Sequence, residues 1–278
     1  MSQKAKIIGI GSYLPADVIT NDDLSKTLDT NDEWITTRSG IKQRHRAAEG
    51  EATSDLALKA AQAALSDAGI TAQDIDLIIV ATTTPDLTFP ATAALVQKKL
   101  GIHHGAAFDV QAVCSGFVYG LSVASAMVET GQAQRALLIG AETMTRLLDW
   151  EDRATAVLFG DGGGAVVLEA TEIASPDAPH IIGSYLRSDG NLSDLLYVDG
   201  GPSTTGTTGK LKMQGREVYR HAVGNIAEAI ESLLQKHELT VVDIDWFVPH
   251  QANKRIICLL YTSPSPRDLS TSRMPSSA

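Results

Sequence analysis

The chain is poor in cysteine. Only Cys114 and Cys258 carry thiols among its 278 residues. Two cysteines cannot build a disulfide framework, so a reducing cytoplasm is the expected compartment. Aromatic residues are scarce too, at 5%, which leaves no run of rings for bases to stack on. Positive charge is in deficit: 23 Lys and Arg face 33 Asp and Glu, a net charge of −10. That sign disfavours polyanions, so nucleic acid is not an expected partner. No apolar run reaches the roughly 18 residues of a membrane span. The opening MSQKAKIIGIG lacks the longer apolar segment of a secretion signal. No membrane partner is expected. His103 and His104 stand without ligand company, so no metal is expected either.

What the chain does have is the composition of a globular protein, 44% hydrophobic and 20% charged. Apolar runs at 77–81, 136–140 and 165–168 read as strands covered on both faces. Helical patterns separate them, capped near Asn21, Asn31 and Thr53 or Ser54 and closed at Gly69. Strand and helix in alternation predict an α/β fold with a mainly parallel core. Residues 6–14 read as a strand ending in a Gly-Ser turn, and Gly162 to Gly164 as a hairpin or tightly packed turn. Further on, strands are expected at 181–187 and 246–248. A helix is expected over 215–236, with Val218, Ala222, Ile226, Ala229, Ile230 and Leu233 along one face.

A repeat is visible. Residues 71–80 read TAQDIDLIIV and residues 240–248 read TVVDIDWFV, each between an amphipathic helix and an apolar run. This predicts a duplicated α/β unit, with one half at 1–173 and its copy at 174–257. Too few residues follow 248 to complete the second copy. Residues 258–278, rich in Ser, Pro, Thr and Arg, show no apolar period. They read as a foreign-looking disordered tail, of the kind a cloning scar leaves.

The chemistry centres on DVQAVCSGFVYG, residues 109–120. Cys114 stands where an apolar strand turns into an apolar helix. Unpaired N–H groups and the macrodipole at a helix N-terminus favour thiolate over thiol. The alternative is a cysteine serving as a small buried hydrophobe. His250 follows the second apolar strand of the repeat. A thiol and an imidazole at the C-terminal edge of α/β strands can together carry out acyl chemistry. Their spacing alone does not separate acyl transfer from hydrolysis.

Several motifs converge on one resemblance. GIGSYLP, NDEWITTRSGI, DVQAVCSGFVYGL, GAE, FGDGGGAVVLE and VPHQANKRII, in that order, resemble β-ketoacyl-acyl carrier protein synthase III, a thiolase-like condensing enzyme. The likeness runs over residues 6–257. It implies a homodimer with a five-layered αβαβα fold built from two similar halves, the second incomplete here. It implies that acetyl-CoA acylates a cysteine, and that malonyl-acyl carrier protein loses CO2 to give the carbanion that attacks the acyl-enzyme. That condensation initiates fatty-acid chains, with CoA thioester as substrate and no separate cofactor.

By this resemblance Cys114 is the nucleophile, and His250 hydrogen-bonds the malonyl thioester as enolate character develops. Thr30, Trp34, Arg38, Arg153 and Asn253 correspond to CoA contacts, with the adenine between Trp34 and Arg153. Phe89 corresponds to the end of the acyl tunnel, the alternative being a plain core phenylalanine. Gln251, Ala252, Asn253, Lys254 and Arg255 correspond to the carrier-protein docking motif. Lys210, Lys212, Arg216 and Arg220 add positive charge that suits an acidic carrier. The family's third catalytic residue, an asparagine, has no counterpart in these residues. The competing readings are a truncated inactive chain, a Cys–His hydrolase, or another thiolase-like condensing enzyme.

Overall fold

Buried backbone N–H and C=O groups must find partners. The apolar runs of the first part of the chain do so in one sheet. The computed structural model describes residues 3–172 and 178–262. In chain order the elements are β1 (Gln3–Tyr13), β2 (Asp17–Thr20), α1 (Asn21–Ser25), α2 (Asp32–Ser39), β3 (Gln43–Arg46), α3 (Thr53–Ala68), β4 (Leu77–Ala81) and α4 (Thr92–Lys99). They continue with β5 (Ala106–Val110), α5 (Gly116–Glu129), β6 (Arg135–Thr143), α6 (Arg153–Ala156), β7 (Asp161–Glu172), β8 (Leu196–Val198), β9 (Leu211–Met213), α7 (Gly215–Lys236) and α8 (Lys254–Thr262).

The chain groups into two units. One takes Met1–Ile19, Arg44–Arg146 and Phe159–Ile182; the other takes Thr20–Gln43, Leu147–Leu158 and Gly183–Ala278. This differs from the contiguous halves expected on either side of residue 173. Two stretches of the early chain fold with the later one, a partition that hydropathy cannot reveal.

The first unit is a five-stranded sheet of order β1-β7-β6-β4-β5. β4 runs parallel to β5 and β6, while β7 runs antiparallel to both its neighbours. The sheet is therefore mixed, with two parallel and two antiparallel pairings, in place of the mainly parallel core expected; the single reversed strand β7 supplies both antiparallel pairings. Alternation along the strands assigns the two faces. Ile78 and Val80 of β4 and Leu137 and Ile139 of β6 pack on Ala57, Ala60, Ala61 and Ala64 of α3 and on Ala93 and Val96 of α4. Leu77, Ile79 and Leu138 face the other way, onto Ala124 and Val128 of α5. The result is three layers, helix–sheet–helix.

Glycine sets the spacing of one layer pair. A Cβ on Gly11 would lie 2.2 Å from Ala64 N and 2.5 Å from Ala60 O. Alanines on α3 and glycines on β1 let the helix backbone approach the strand directly. The expected Gly-Ser turn is thus part of a strand that continues to Tyr13. Gly162 to Gly164 are likewise not a turn. They lie in β7, paired to β6 on one side, and Gly163 and Gly164 also pair to β1.

Local caps follow the sequence with small shifts. Asn31 caps α2 by accepting from Trp34 N at 2.7 Å. α1 is capped by Thr20 rather than Asn21, through a reciprocal pair with Asp23. α3 starts after Ala52, whose N–H is taken by Asp55 Oδ2 at 2.9 Å.

The repeat is structural. Thr71 and Asp74 close a single 3-10 turn, with Thr71 Oγ1 donating to Asp74 Oδ2 at 2.7 Å. Thr240 and Asp243 close the same turn, with the matching bond at 2.6 Å. Beyond it the copies diverge. The first turn leads into β4, but residues 246–248 form no strand, and neither do residues 181–187. A strand exists only when a neighbour pairs with it, and apolar content does not supply one. Trp246 is left 65% exposed. Among its described residues the second unit holds the β8–β9 pair and the packed helices α7 and α8. The second central sheet of a five-layered fold is absent from them.

The start of the tail expected from 258 is helical instead, since 258–262 belong to α8. α8 carries Cys258 and Leu260, and buried Ile257 and Leu260 fall three residues apart on one face. The rest of that expectation, 263–278, lies outside the described residues.

Candidate active site

Cys114 lies in a 3-10 turn, Val113–Ser115, between the end of β5 and the start of α5. Val113 has φ +50°, a left-handed conformation that a β-branched residue adopts only under constraint. The turn therefore presents Cys114 at a strained corner, and the thiol is open to solvent. Its ionisation departs from the expectation. Protein crowding around the thiol and the nearby Glu142 carboxylate push its pKa up, outweighing a bond from its own backbone N–H. α5 begins two residues later, and its N-terminus does not overcome those two effects.

Glu142 was not singled out by sequence reasoning beyond its place in GAE. It ends β6 and accepts from Thr83 N at 2.8 Å, from Thr84 Oγ1 at 2.5 Å and from the hydroxyls of Thr82 and Thr83. A carboxylate closing an apolar strand, opposite three consecutive threonines, was the available signal.

His250 belongs to the second unit. The residue is exposed, yet desolvation by nearby protein pushes its pKa down from 6.5, which favours a neutral imidazole with one N–H to donate.

The second unit also gathers the CoA-contact candidates. Arg38 Cζ lies 4.4 Å from the centre of the Trp34 ring and Arg153 Cζ 4.7 Å from it, both within cation–π range. Arg153 is further held by Asp29, donating to its carbonyl at 2.5 Å and its carboxylate at 3.2 Å. This closes the expected sandwich. A third planar group between ring and guanidinium requires roughly 7 Å, two van der Waals layers. Thr30 Oγ1 is buried without a hydrogen-bond partner among the described residues. Asn253 is committed to the fold: its Oδ1 accepts from Arg255 N at 2.8 Å, and its carbonyl accepts from Ile256 N.

The docking motif lies beside this group. Gln251, Ala252, Lys254 and Arg255 are exposed. The Lys254 stem packs on Gly40, the left-handed residue that ends α2, so α8 touches the helix that carries Trp34 and Arg38. The expected positive patch is weaker than its count. Lys212 lies 3.7 Å from Asp199 and Arg220 2.6 Å from Glu217. Phe89 is 83% exposed, so within one chain it is neither a core residue nor the filled end of a tunnel. An open depression of about 470 Å³ in the first unit is lined by residues including Tyr13, Glu51, Asp55 and Lys59 and holds none of the expected site residues. No group of three or more metal-ligating side chains occurs among the described residues.

A family profile described as 3-oxoacyl-[acyl-carrier-protein] synthase III matches residues 108–190, the stretch containing Cys114. Beta-ketoacyl-[acyl-carrier-protein] synthase III of Caulobacter vibrioides is 60% identical over 255 residues, covering 91% of this chain and 79% of that protein. The chain belongs to the β-ketoacyl-[acyl-carrier-protein] synthase III family. The Cereibacter sphaeroides synthase III is also 60% identical, over 258 residues, with 92% of this chain and 80% of that protein covered. The crystal structure of the Aquifex aeolicus synthase III superposes with a TM-score of 0.86 at 44% identity, covering 93% of this chain and 80% of that one. The thiolase-like α/β fold and the condensing-enzyme class thus follow from the whole aligned length. Synthase III relatives extend beyond the aligned part, which is about 80% of their own chains.

Proposed function

We propose that this synthase III transfers acetyl from acetyl-CoA to Cys114 and condenses it with malonyl-acyl carrier protein. The product is acetoacetyl-acyl carrier protein, the first condensation of fatty-acid synthesis. The observation that carries the reading is the solvent-open Cys114 on a strained turn at the C-terminal edge of β5, in a chain 60% identical to named synthases III. In the first half-reaction the Cys114 sulfur attacks the thioester carbonyl and CoA leaves with a proton. In the second, decarboxylation places negative charge on the malonyl thioester oxygen. The neutral His250 ring donates its N–H there. The test is direct: purified chain, acetyl-CoA and malonyl-carrier are mixed, and acetoacetyl-carrier is sought by mass.

CoA binding is assigned to the Trp34 cluster and carrier docking to the start of α8. Their contact through Gly40 and Lys254 supports a common entrance for both thioesters. With Arg153 closed over Trp34, adenine enters only after Arg153 releases Asp29. Arg153→Ala opens the slot but removes one of its walls. CoA affinity should fall about five- to thirtyfold, from one lost cation–π contact of about 1–2 kcal/mol. Trp34 fluorescence during CoA titration reads it, and an unchanged affinity rejects the assignment.

A homodimer is part of the same reading. Among the described residues β5 is a sheet edge, paired with β4 alone, and its sequence AAFDV carries neither lysine nor proline to block a further strand. Asp109 of β5 accepts from Thr92 N at 2.7 Å, which brings the segment after Phe89 to that edge. A second copy there would cover Phe89 and give it a tunnel to close. Light scattering should return twice the 29.5 kDa of one chain, and a monomeric mass removes both the dimer and the Phe89 role. The two free thiols suit a cytoplasmic location, which cell fractionation checks.

A further inference from the structure

Glu142 is bound unlike an ordinary carboxylate at a strand end. Its donors all come from residues 82–84, which follow β4 directly. That threonine turn is tied on its other side to the segment of Cys114. Thr82 N donates to Val110 O, the last residue of β5, at 3.2 Å. Ala81 lies against Gly116, the first residue of α5, where an added Cβ would stand 3.3 Å from that of Ala81. Cys114 sits between those two anchor points. Thr53 Oγ1 donates to Thr84 O at 2.6 Å and Thr143 N donates to Thr84 Oγ1 at 2.9 Å, so the turn is braced from α3 and β6 as well.

We propose that Glu142 is a positioning residue for Cys114: by clamping residues 82–84 it fixes the wall behind the nucleophile, and its carboxylate holds a negative charge toward the sulfur. The resting enzyme then carries a thiol. The groups around the pair agree with this. Burial pushes the Glu142 pKa up, and the three hydroxyls and one N–H that face it work against that to keep the carboxylate charged. Other carboxylates nearby are engaged elsewhere: Asp109 accepts from the N–H groups of Thr92 and Ala93, Asp86 from Ser54, and Asp161 from Thr145. Glu142 is the charge that acts on Cys114, and that charge and desolvation by the surrounding protein both push the thiol up, although the residue is exposed. A neutral thiol resists alkylation and oxidation between turnovers. The exchange still balances, because Cys114 loses its proton as the new C–S bond forms and the CoA sulfur takes one as it leaves.

The inference rests on Cys114 as acyl acceptor, yet its test needs no acyl donor, so the two can fail separately. In a Cys258→Ser background Cys114 is the single thiol. Iodoacetamide alkylation is followed by intact mass from neutral to alkaline pH, with glutathione in the same tube. Glu142→Gln keeps an oxygen for Thr83 N–H and removes the charge. It should alkylate several-fold faster at neutral pH, with its midpoint moved down and its thermal transition unchanged. A profile identical to the parent overturns the proposal. Should Glu142→Gln fail to fold, the parent decides: a Cys114 midpoint above that of glutathione supports the proposal, and one at or below it overturns it.

Discussion

Cys114→Ala leaves acetyl-CoA without an acceptor. Incubation of the parent with acetyl-CoA should add the mass of one acetyl group, located on Cys114 by peptide mapping; the variant should add none. The expected loss in acetyl transfer is on the order of 10⁴-fold or more, as for removal of other covalent nucleophiles. The substitution shortens an exposed side chain, so the fold and thermal transition should be unaffected. Cys258 is an internal control, since it too is an exposed thiol. Label on Cys258 in place of Cys114 would falsify the assignment. His250→Ala separates the half-reactions. It should leave acetylation intact and lower condensation roughly 10²- to 10³-fold, the cost of one donor to a developing oxyanion. Loss of acetylation in that variant would move His250 to the first step instead.

The second large effect concerns the fold. Gly11→Ala places a methyl within 2.2 to 2.7 Å of α3 backbone atoms at Ala60, Ala63 and Ala64. Backbone on both sides cannot rotate away as a long side chain can. Either α3 lifts off β1 or the sheet bends, and both uncover the cluster formed by Ala60, Ala64, Leu137 and Ile139. The expected cost is about 3 kcal/mol, the upper end for overpacking, seen as a clear fall in melting temperature or as insoluble protein. Gly224 of α7 provides the contrast. A Cβ there meets nothing within 4 Å and the backbone is helical. Gly224→Ala should be neutral or stabilising by up to about 1 kcal/mol. Equal melting temperatures for Gly11→Ala and the parent would show that α3 does not rest on β1 as described.

Much of the first unit was legible because its signals are local. A five-residue run such as LIIVA, rich in β-branched residues, is the mark of a strand covered on both faces, and β4 is buried at all five positions. Gly69 ends α3 in the left-handed conformation its position requires. The T-x-x-D turns formed alike in both copies, since threonine and aspartate three residues apart satisfy each other without help. Less local features misled. IIGIGSY reads as a strand reaching a turn, because sequence does not show that the glycines accommodate a helix fifty residues away. Residues 181–187 and 246–248 have strand-like composition but no strand ladder forms there, and Ile181 makes only a single backbone bond, to Ala5 O of β1. The proposed site divides the same way. Cys114 stood out by its apolar strand and helix, whereas Glu142 stayed hidden, since nothing in a sequence aligns a carboxylate with three threonines about sixty positions earlier.

By itself the sequence determined the α/β class, the repeat, the family and the identity of Cys114 as the residue to test. These rest on residue type and order along the chain. Tertiary structure decided how the chain divides into units, which glycines are spacers, that Arg153 closes over Trp34, and that the Cys114 thiol is pushed up. Each of those depends on atoms brought together from distant positions; at Cys114, desolvation by nearby protein and a neighbouring charge outweigh the local preference of a helix N-terminus.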